Sequence, residues 1–425
     1  MRATKAQRCP PNLPLPDHAM PEPGDRTEQG SILVLNAGSS SLKFALFAAA
    51  PSLPELMRGE ISELGTAPHL VAHDGAGHPV ADQHWPAGGD APFASLLDAL
   101  LAVVDAAPGH DRLRAVGHRI VHGGADHIAP ERLTPALLSA LEALTPLDPI
   151  HLPHNLAPMR AVWQARPGIA QIACFDTAFH HTMPRVAQQF ALPRAISGAG
   201  IRRYGFHGLS YEWIARRLDN DAPKLAQGRV IVAHLGAGAS LCALDKGASV
   251  ATTMGISVLD GLMMATRCGS LDPGVIFYLA RLGHSLPEIE DMLYNRSGLL
   301  GVSGISGDIR VLLASDAPQA REAIALFTYR IALEMGAMVS ALGGVDGIVF
   351  TAGIGQHAPA IRAAVCERLG WLGAQLDPLA NDRNASRISA SASAIPLHVM
   401  PTDEEAMIAH HVQALTNGAD PAPPE

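Results

Sequence analysis

Arg119 lies inside the apolar run Ala115-Val116-Gly117-His118-Arg119-Ile120-Val121. A cation in such a strand is expensive unless it meets an anion. A bidentate clamp on a carboxylate would account for it, and so would a buried structural ion pair. Asp176 follows a second apolar run, Gln171 to Phe175, at the strand end where α/β active sites tend to lie; an Asx turn also suits an aspartate there. Glu404 and Glu405 open a helix that starts near Thr402, after Pro401. Thr402-x-x-Glu405 fits a capping box, which explains Glu405, whereas Glu404 has only the weaker explanation of helix-dipole compensation. Gly353-Ile354-Gly355-Gln356-His357-Ala358 satisfies the loose GxGxxG/A dinucleotide pattern, with Asp377 as the nearest ribose acid. Alone that signal is weak. GxxxxGK[ST] is absent, which excludes a Walker-type site.

These residues need elements to hold them. Ile32 to Leu35 reads as a buried strand, Asn36 to Ser41 as a tight small-residue loop, and Leu42 to Phe47 as a second strand with Lys43 opposite Leu42, Phe44 and Leu46. About 199 positions later the design recurs: Val230 to Ala233, the Gly/Ala loop Leu235 to Ser240, then Leu241 to Leu244, with Ser41-Leu42 falling on Ser240-Leu241. Two such hairpins suggest a duplicated domain with a cleft between the copies, each loop able to present N–H groups to a phosphate. Strands over 115–121, 171–175 and 347–351 alternate with helices, as in α/β domains. A long helix, roughly Gln319 to Leu342, should stop at Gly343-Gly344.

The chain has 425 residues, 48% hydrophobic and 17% charged, enough for two packed domains. Its formal charge of −9 argues against a nucleic-acid or anionic-membrane surface. Five scattered cysteines without a CxxC pair argue against a disulfide framework or zinc and fit a reducing cytoplasm. The first 30 residues lack an apolar h-region and read as a disordered extension. No run of ~18 uncharged apolar residues occurs, so no membrane span is expected.

Specific strings then resemble a known family. Val34-Leu35-Asn36-Ala37-Gly38-Ser39-Ser40-Ser41-Leu42-Lys43 resembles the first signature of the acetate kinases, in the acetate and sugar kinase/actin superfamily. Further matches follow in order: Gly117 to Gly124 around Arg119; Phe175-Asp176-Thr177-Ala178-Phe179-His180; Tyr204-Gly205-Phe206-His207-Gly208; Leu262 to Pro273 around Arg267; Ser297 to Gly301; Phe350 to Gly355; and Pro401 to Glu405. The resemblance implies two duplicated actin-like (ribonuclease H-like) α/β domains around a nucleotide cleft. The first is expected over 31–177, completed by the helix 402–417, and the second, nucleotide-binding one over 178–401. It also implies a homodimer, Mg²⁺ (Mn²⁺ as the alternative), and reversible transfer of the ATP γ-phosphoryl group to acetate or a related short-chain acid.

That chemistry explains the residue types. A carboxylate is already ionised at pH 7 and needs no general base. Its approach to a triphosphate is the difficulty, since like charges 4 Å apart repel by ~4 kcal/mol at an effective dielectric of about 20. Positioning and positive charge should therefore dominate. By resemblance Arg119 binds the acceptor carboxylate, with Val121, Ile150, Phe206 and Val258 as the acyl pocket. His207 and Arg267 are transition-state residues, and Asp176 orients substrate, arginine or a metal-bound water. Asn36 and Glu404 would hold Mg²⁺, and Lys43 a phosphate. ATP or ADP would meet His234, Leu235, Gly236, Ala237 and Gly238, then Asp308, Ile309 and Arg310, and Gly353, Ile354, Gly355, Gln356 and His357. The chain departs from the family at Ala237 (usually asparagine), Gln356-His357 (Glu-Asn), Ser270 (aspartate), Tyr211 (histidine) and Val258 (proline). A non-catalytic actin-like nucleotide binder is the rival from another class.

Overall fold

The computed structural model describes residues 30–417 except 39, 89–91, 108, 110–111 and 199. The segment read as a disordered extension lies outside them, Gly30 apart. Eight strands form the first sheet: β1 (Ser31–Ala37), β2 (Leu42–Ala48), β3 (Glu55–Ser62), β4 (His69–Asp74), β5 (Pro79–His84), β6 (Leu113–Ile120), β7 (Glu131–Arg132) and β8 (Ala170–Phe175), ordered β5-β4-β3-β2-β1-β6-β8-β7. Five form the second: β9 (Arg229–Leu235), β10 (Ala239–Asp245), β11 (Ala248–Thr252), β12 (Gly347–Thr351) and β13 (Leu397–Val399), ordered β11-β10-β9-β12-β13.

The two sheets share one central plan. β1 is antiparallel to β2 and parallel to β6; β9 is antiparallel to β10 and parallel to β12. The last pairs before each turn are Ala37↔Leu42 and Leu235↔Ala239. The first turn therefore holds residues 38–41 and the second 236–238, so the single offset of 199 is not kept across both strands of the hairpins.

β1 is buried along its whole length because both its faces are covered. Leu33 and Leu35 face the helix Phe93–Asp105 through Leu97, Leu100 and Val104. Ile32 and Val34 face the helix Glu404–Thr416 through Ile408 and Val412. Gly117 lets that second helix come close, since a Cβ there would lie 2.4 Å from Ile408 and 2.7 Å from Val412. The chain thus returns to the first sheet after completing the second.

The long helix runs Pro318–Leu342 and stops at Gly343 with φ +67°, the left-handed conformation glycine adopts freely. By length and composition it is the one described helix apolar enough to cross a membrane. Ala323, Phe327, Ile331 and Met335 are buried in the core beside β10, and Arg330 donates to the Ser270 carbonyl at 2.8 Å. One face of it packs in the core. Gly353 to His357, the string that satisfies the loose GxGxxG/A pattern, forms a helical turn, Ala352–His357.

Candidate active site

A cleft of about 330 Å³ opens where the two hairpin turns face each other. It collects Asn36, Lys43, Arg119, Val121, Asp176, Phe206, His207, His234, Gly236, Ala237, Gly238, Val258, Arg267 and Glu404 from the expected set. Ile150 does not line it; the next residue, His151, does, together with Asn155. Leu235 and Ile309 belong to the buried core and do not line the cleft. Asp308 caps the helix Ile309–Leu313 by accepting from Arg310 N–H, and its carboxylate pairs with the exposed Arg310 guanidinium. The turn Ala352–His357 abuts the second hairpin turn, where a Cβ on Gly236 would lie 3.7 Å from that of Ala352. Gly353 there is open to solvent, with nothing near a Cβ it might carry.

Arg119 is the hub of the first half. Its Nε donates to both Asp176 oxygens at 3.2 and 3.1 Å, its Nη2 donates to Asp176 Oδ2 at 2.5 Å, and its Nη1 donates to Asn36 Oδ1 at 3.2 Å. The bidentate edge expected to clamp a substrate carboxylate is therefore engaged by Asp176. Asp176 thus fixes the guanidinium in a buried ion pair, while its Nη1 is turned to Asn36 at the cleft wall. Burial pushes the Asp176 carboxyl up, Arg119 pulls it back and Glu404 pushes it up again, for a value of about 6.

The helix start near Glu404 differs from expectation. Asp403, not Thr402, is the N-cap, accepting from Ala406 N–H at 2.9 Å. Thr402 instead donates to Ser210 Oγ at 2.7 Å, so the capping box is not formed. Glu405 is left free to meet Asn36: Asn36 Nδ2 donates to Glu405 Oε1 at 2.8 Å and to Glu404 Oε2 at 3.3 Å. Asp176, Glu404 and Glu405 against Arg119 leave two net negative charges beside an amide, an all-oxygen set suited to a hard divalent cation that keeps waters and phosphate oxygens as its other ligands. Elsewhere His69, Asp82 and His84 gather on the outer strands β4 and β5. Their imidazoles stack with centroids 3.7 Å apart and planes 13° apart, so both ring lone pairs cannot reach one ion without opening the stack.

The second half is built from imidazole and backbone. His207 sits at φ +59°, a left-handed conformation that is strained for a side-chain-bearing residue. Gly208 follows because a Cβ there would come within 2.0 Å of the Asp176 carbonyl, which accepts from Gly208 N–H at 3.0 Å. The motif thus ties His207 to the strand end bearing Asp176. His207 and His234 stack with centroids 4.1 Å apart. Burial first, then neighbouring His234, Arg119 and Arg267, hold His207 well below its ordinary pKa. Burial and Arg119 bring His234 down to about 3, so both rings are neutral. Arg267 is braced by donating to the Val258 carbonyl at 2.7 Å, and its loop bonds to the second hairpin turn through Ala265 N–H to the Ala237 carbonyl at 3.1 Å.

Several supporting residues escaped the sequence reading. Asn155 donates to the Ala37 carbonyl at 2.7 Å and accepts from Val121 N–H at 2.8 Å, fastening the first turn to the end of the strand bearing Arg119. Asp148 Oδ1 holds His151 through its backbone N–H at 3.0 Å and its Nδ1 at 2.9 Å. Arg362, fully buried, gives its five donors to Gly355 O, Gln356 O, Asn381 Oδ1, Asn381 O and Asn384 Oδ1, pinning the turn Ala352–His357 from behind. A lone arginine in the string Pro359–Arg368 carried no signal of this.

A family model described as the acetokinase family matches residues 31–410. An acetate kinase of Rhodopseudomonas palustris is 52% identical over 394 residues, 91% of this chain and 98% of the relative. One from Nitrobacter hamburgensis is 47% identical over 394 residues, 91% and 96% of the two chains. Among solved structures, a propionate kinase from Francisella tularensis gives a TM-score of 0.84 at 34% identity, covering 90% of this chain and 98% of the other. An acetate kinase from Porphyromonas gingivalis gives 0.81 at 33%, covering 91% and 100%. With a cleft of this composition and matches of this extent, the chain belongs to the acetokinase family.

Proposed function

We propose that the chain is an acetate kinase, moving the γ-phosphoryl group between ATP and a short-chain carboxylate. The observation that carries this reading is the meeting of Arg119, Arg267 and neutral His207 in one cleft beside the apolar side chains of Val121, Phe206 and Val258. In the forward direction a carboxylate oxygen attacks the γ-phosphorus, the bond from phosphorus to the β–γ bridging oxygen breaks, and ADP leaves with that electron pair. No proton moves, so no base is required. Arg119 meets the acceptor carboxylate, Arg267 and His207 donate to the equatorial phosphoryl oxygens, and Asp176 holds Arg119 in place. Lys43 and the turn Gly236–Gly238 take the phosphates, and the turn Ala352–His357 and the segment Asp308–Arg310 take the nucleoside end. Asn36 and Glu404 would hold Mg²⁺, or Mn²⁺, with Glu405 orienting Asn36; the ion supplies charge neutralisation on the phosphates when bound.

We assign residues 31–177 with 402–417 to one lobe and 178–401 to the other. Exposed Phe277, Tyr278, Leu282 and Leu286, with Tyr329 and Leu333 on the long helix, support a homodimer through the second lobe. Cys174, Cys242 and Cys366 are buried free thiols, in keeping with a reducing cytoplasm.

Hydroxylamine trapping of acyl phosphate, run across C1 to C4 acids with Mg-ATP, tests the reading. Acetyl hydroxamate is expected. The likeness to a propionate kinase and Val258 in the pocket favour some propionate turnover, since one methylene discriminates by only about 1–3 kcal/mol. No product from any acid would leave a non-catalytic nucleotide binder.

A further inference from the structure

Two hydroxyl chains, the first of them buried, run up to the imidazoles that face the cleft. Tyr211 is fully buried; its phenol oxygen lies 2.5 Å from Ser240 Oγ, which lies 2.8 Å from His207 Nδ1. In parallel, Thr402 Oγ1 donates to Ser210 Oγ, which lies 2.8 Å from His234 Nδ1. Proton counting fixes the direction of the first chain. Burial raises the Tyr211 phenol well above its ordinary pKa, so it keeps its proton. Among the described residues Ser240 Oγ is the partner its side chain has, and a buried O–H left without an acceptor is costly. If the phenol donates to Ser240, the Ser240 proton goes to His207 Nδ1. A neutral imidazole has one proton, which must then sit on Nε2. That nitrogen faces the second hairpin turn, since a Cβ on Gly238 would lie 3.2 Å from His207 Nε2 and 3.2 Å from Arg267 Nη2. The same reasoning along Thr402 and Ser210 puts the His234 proton on its Nε2.

We propose that Ser240, with Tyr211 behind it, is a positioning pair that locks His207 as the neutral Nε2–H tautomer, so that the ring can only donate toward the transferred phosphoryl group. The idea rests on the phosphoryl-transfer reading above. It gives Tyr211 an effect that passes entirely through Ser240.

Nitrogen-15 spectra of the histidine-labelled apo enzyme, with His207 assigned from a His207→Gln spectrum, should show the Nε2–H pattern for that ring and no titration between about pH 5.5 and 8. An Nδ1–H pattern would overturn the proposal whatever the variants do. In kinetics, Ser240→Ala should mix the tautomers and lower kcat roughly 10- to 100-fold, below the effect of deleting a transition-state donor outright, with little change in KM for ATP. Tyr211→Phe should lower kcat less, about 2- to 10-fold. Combined with Ser240→Ala, it should add nothing. A Tyr211→Phe penalty that persists in the Ser240→Ala background would overturn the pairing. Failure of the acyl kinase reading would show differently, as a wild-type protein that makes no acyl phosphate while its tautomer can still be measured.

Discussion

The two hairpins repeat one geometry and divide the chemistry. Around the first turn stand Asn36, Lys43, Arg119, Asp176, Glu404 and Glu405, an electrically dense set threaded by Arg119. Around the second stand Gly236 to Gly238, Ser240 and two imidazoles that burial keeps neutral, with Arg267 brought in on a separate loop. A cleft that must bring two anions together gains from this split. The first half can organise an acceptor and a cation, while the second offers N–H donors whose strength does not depend on a titration near pH 7.

The strongest way to break the comparison is to remove each half's arginine. Arg119→Ala and Arg267→Ala should each lower kcat/KM by orders of magnitude; a variant retaining more than roughly a tenth, a loss of only ~1.4 kcal/mol, would lose its assigned role. Their stabilities should differ. Arg119→Ala leaves Asp176 and Glu404 without their cation, so thermal melting should drop clearly, by about 3–5 kcal/mol if they stay ionised. Arg267→Ala loses a bond to one carbonyl and should melt much nearer wild type.

Next comes the paired glutamate test. Glu404→Ala should nearly abolish activity and raise the magnesium requirement. Glu405→Ala should also weaken magnesium, by about 10- to 100-fold as for other groups that orient a metal ligand, because Asn36 loses its 2.8 Å acceptor. Magnesium titrations of initial rate decide it; an unchanged requirement in Glu405→Ala would confine that residue to the helix end.

A third measurement uses pH. The folded-state pKa of Asp176, about 6, lies above its unfolded value, so the folded protein binds the extra proton between about pH 4 and 6. Its contribution to stability is full below the unfolded pKa and is lost as pH rises through 6. The stability of wild type relative to Asp176→Asn should accordingly fall on going from pH 4 to 7, on the order of 2–3 kcal/mol, read from paired melts. A flat difference would mean that Arg119 holds the carboxyl at its ordinary value. The smallest effect belongs to the second turn. Ala237→Asn should add a donor worth ~0.5–1.5 kcal/mol, lowering KM for ATP about two- to tenfold while leaving acetate KM alone.

The strands were legible because apolar runs of the right length bounded by small residues have few other solutions, and β1, β2, β9, β10 and β12 fall where those runs lie. Arg119 and Asp176 stood out because charge at a buried strand end demands a partner. What escaped were interactions between residues far apart in sequence. Thr402-x-x-Glu405 satisfies the capping pattern, yet Ser210, nearly 200 positions away, draws off the Thr402 hydroxyl, and Asp403 takes the cap. Ile150 and His151 are neighbours in sequence, and only the direction of a turn decides which one enters the cleft. Arg362 was invisible because its partners are carbonyls and amides that no side-chain pattern encodes.

The bonds from Asn36 to Glu404 and Glu405 span 368 and 369 residues. At roughly 5–20 residues per second of synthesis, the first turn waits about 20–75 s on the ribosome for its acidic partners. The first sheet spends the same interval without the helix that covers Ile32 and Val34. On the role proposed for Glu404, a nascent chain of this kind would be catalytically silent until its closing helix has emerged and docked, and until then its bare sheet face is the part a chaperone would have to shield. Expression of chains ending just before and just after Glu404–Thr416 would separate the two stages, since only the longer product can bury that face.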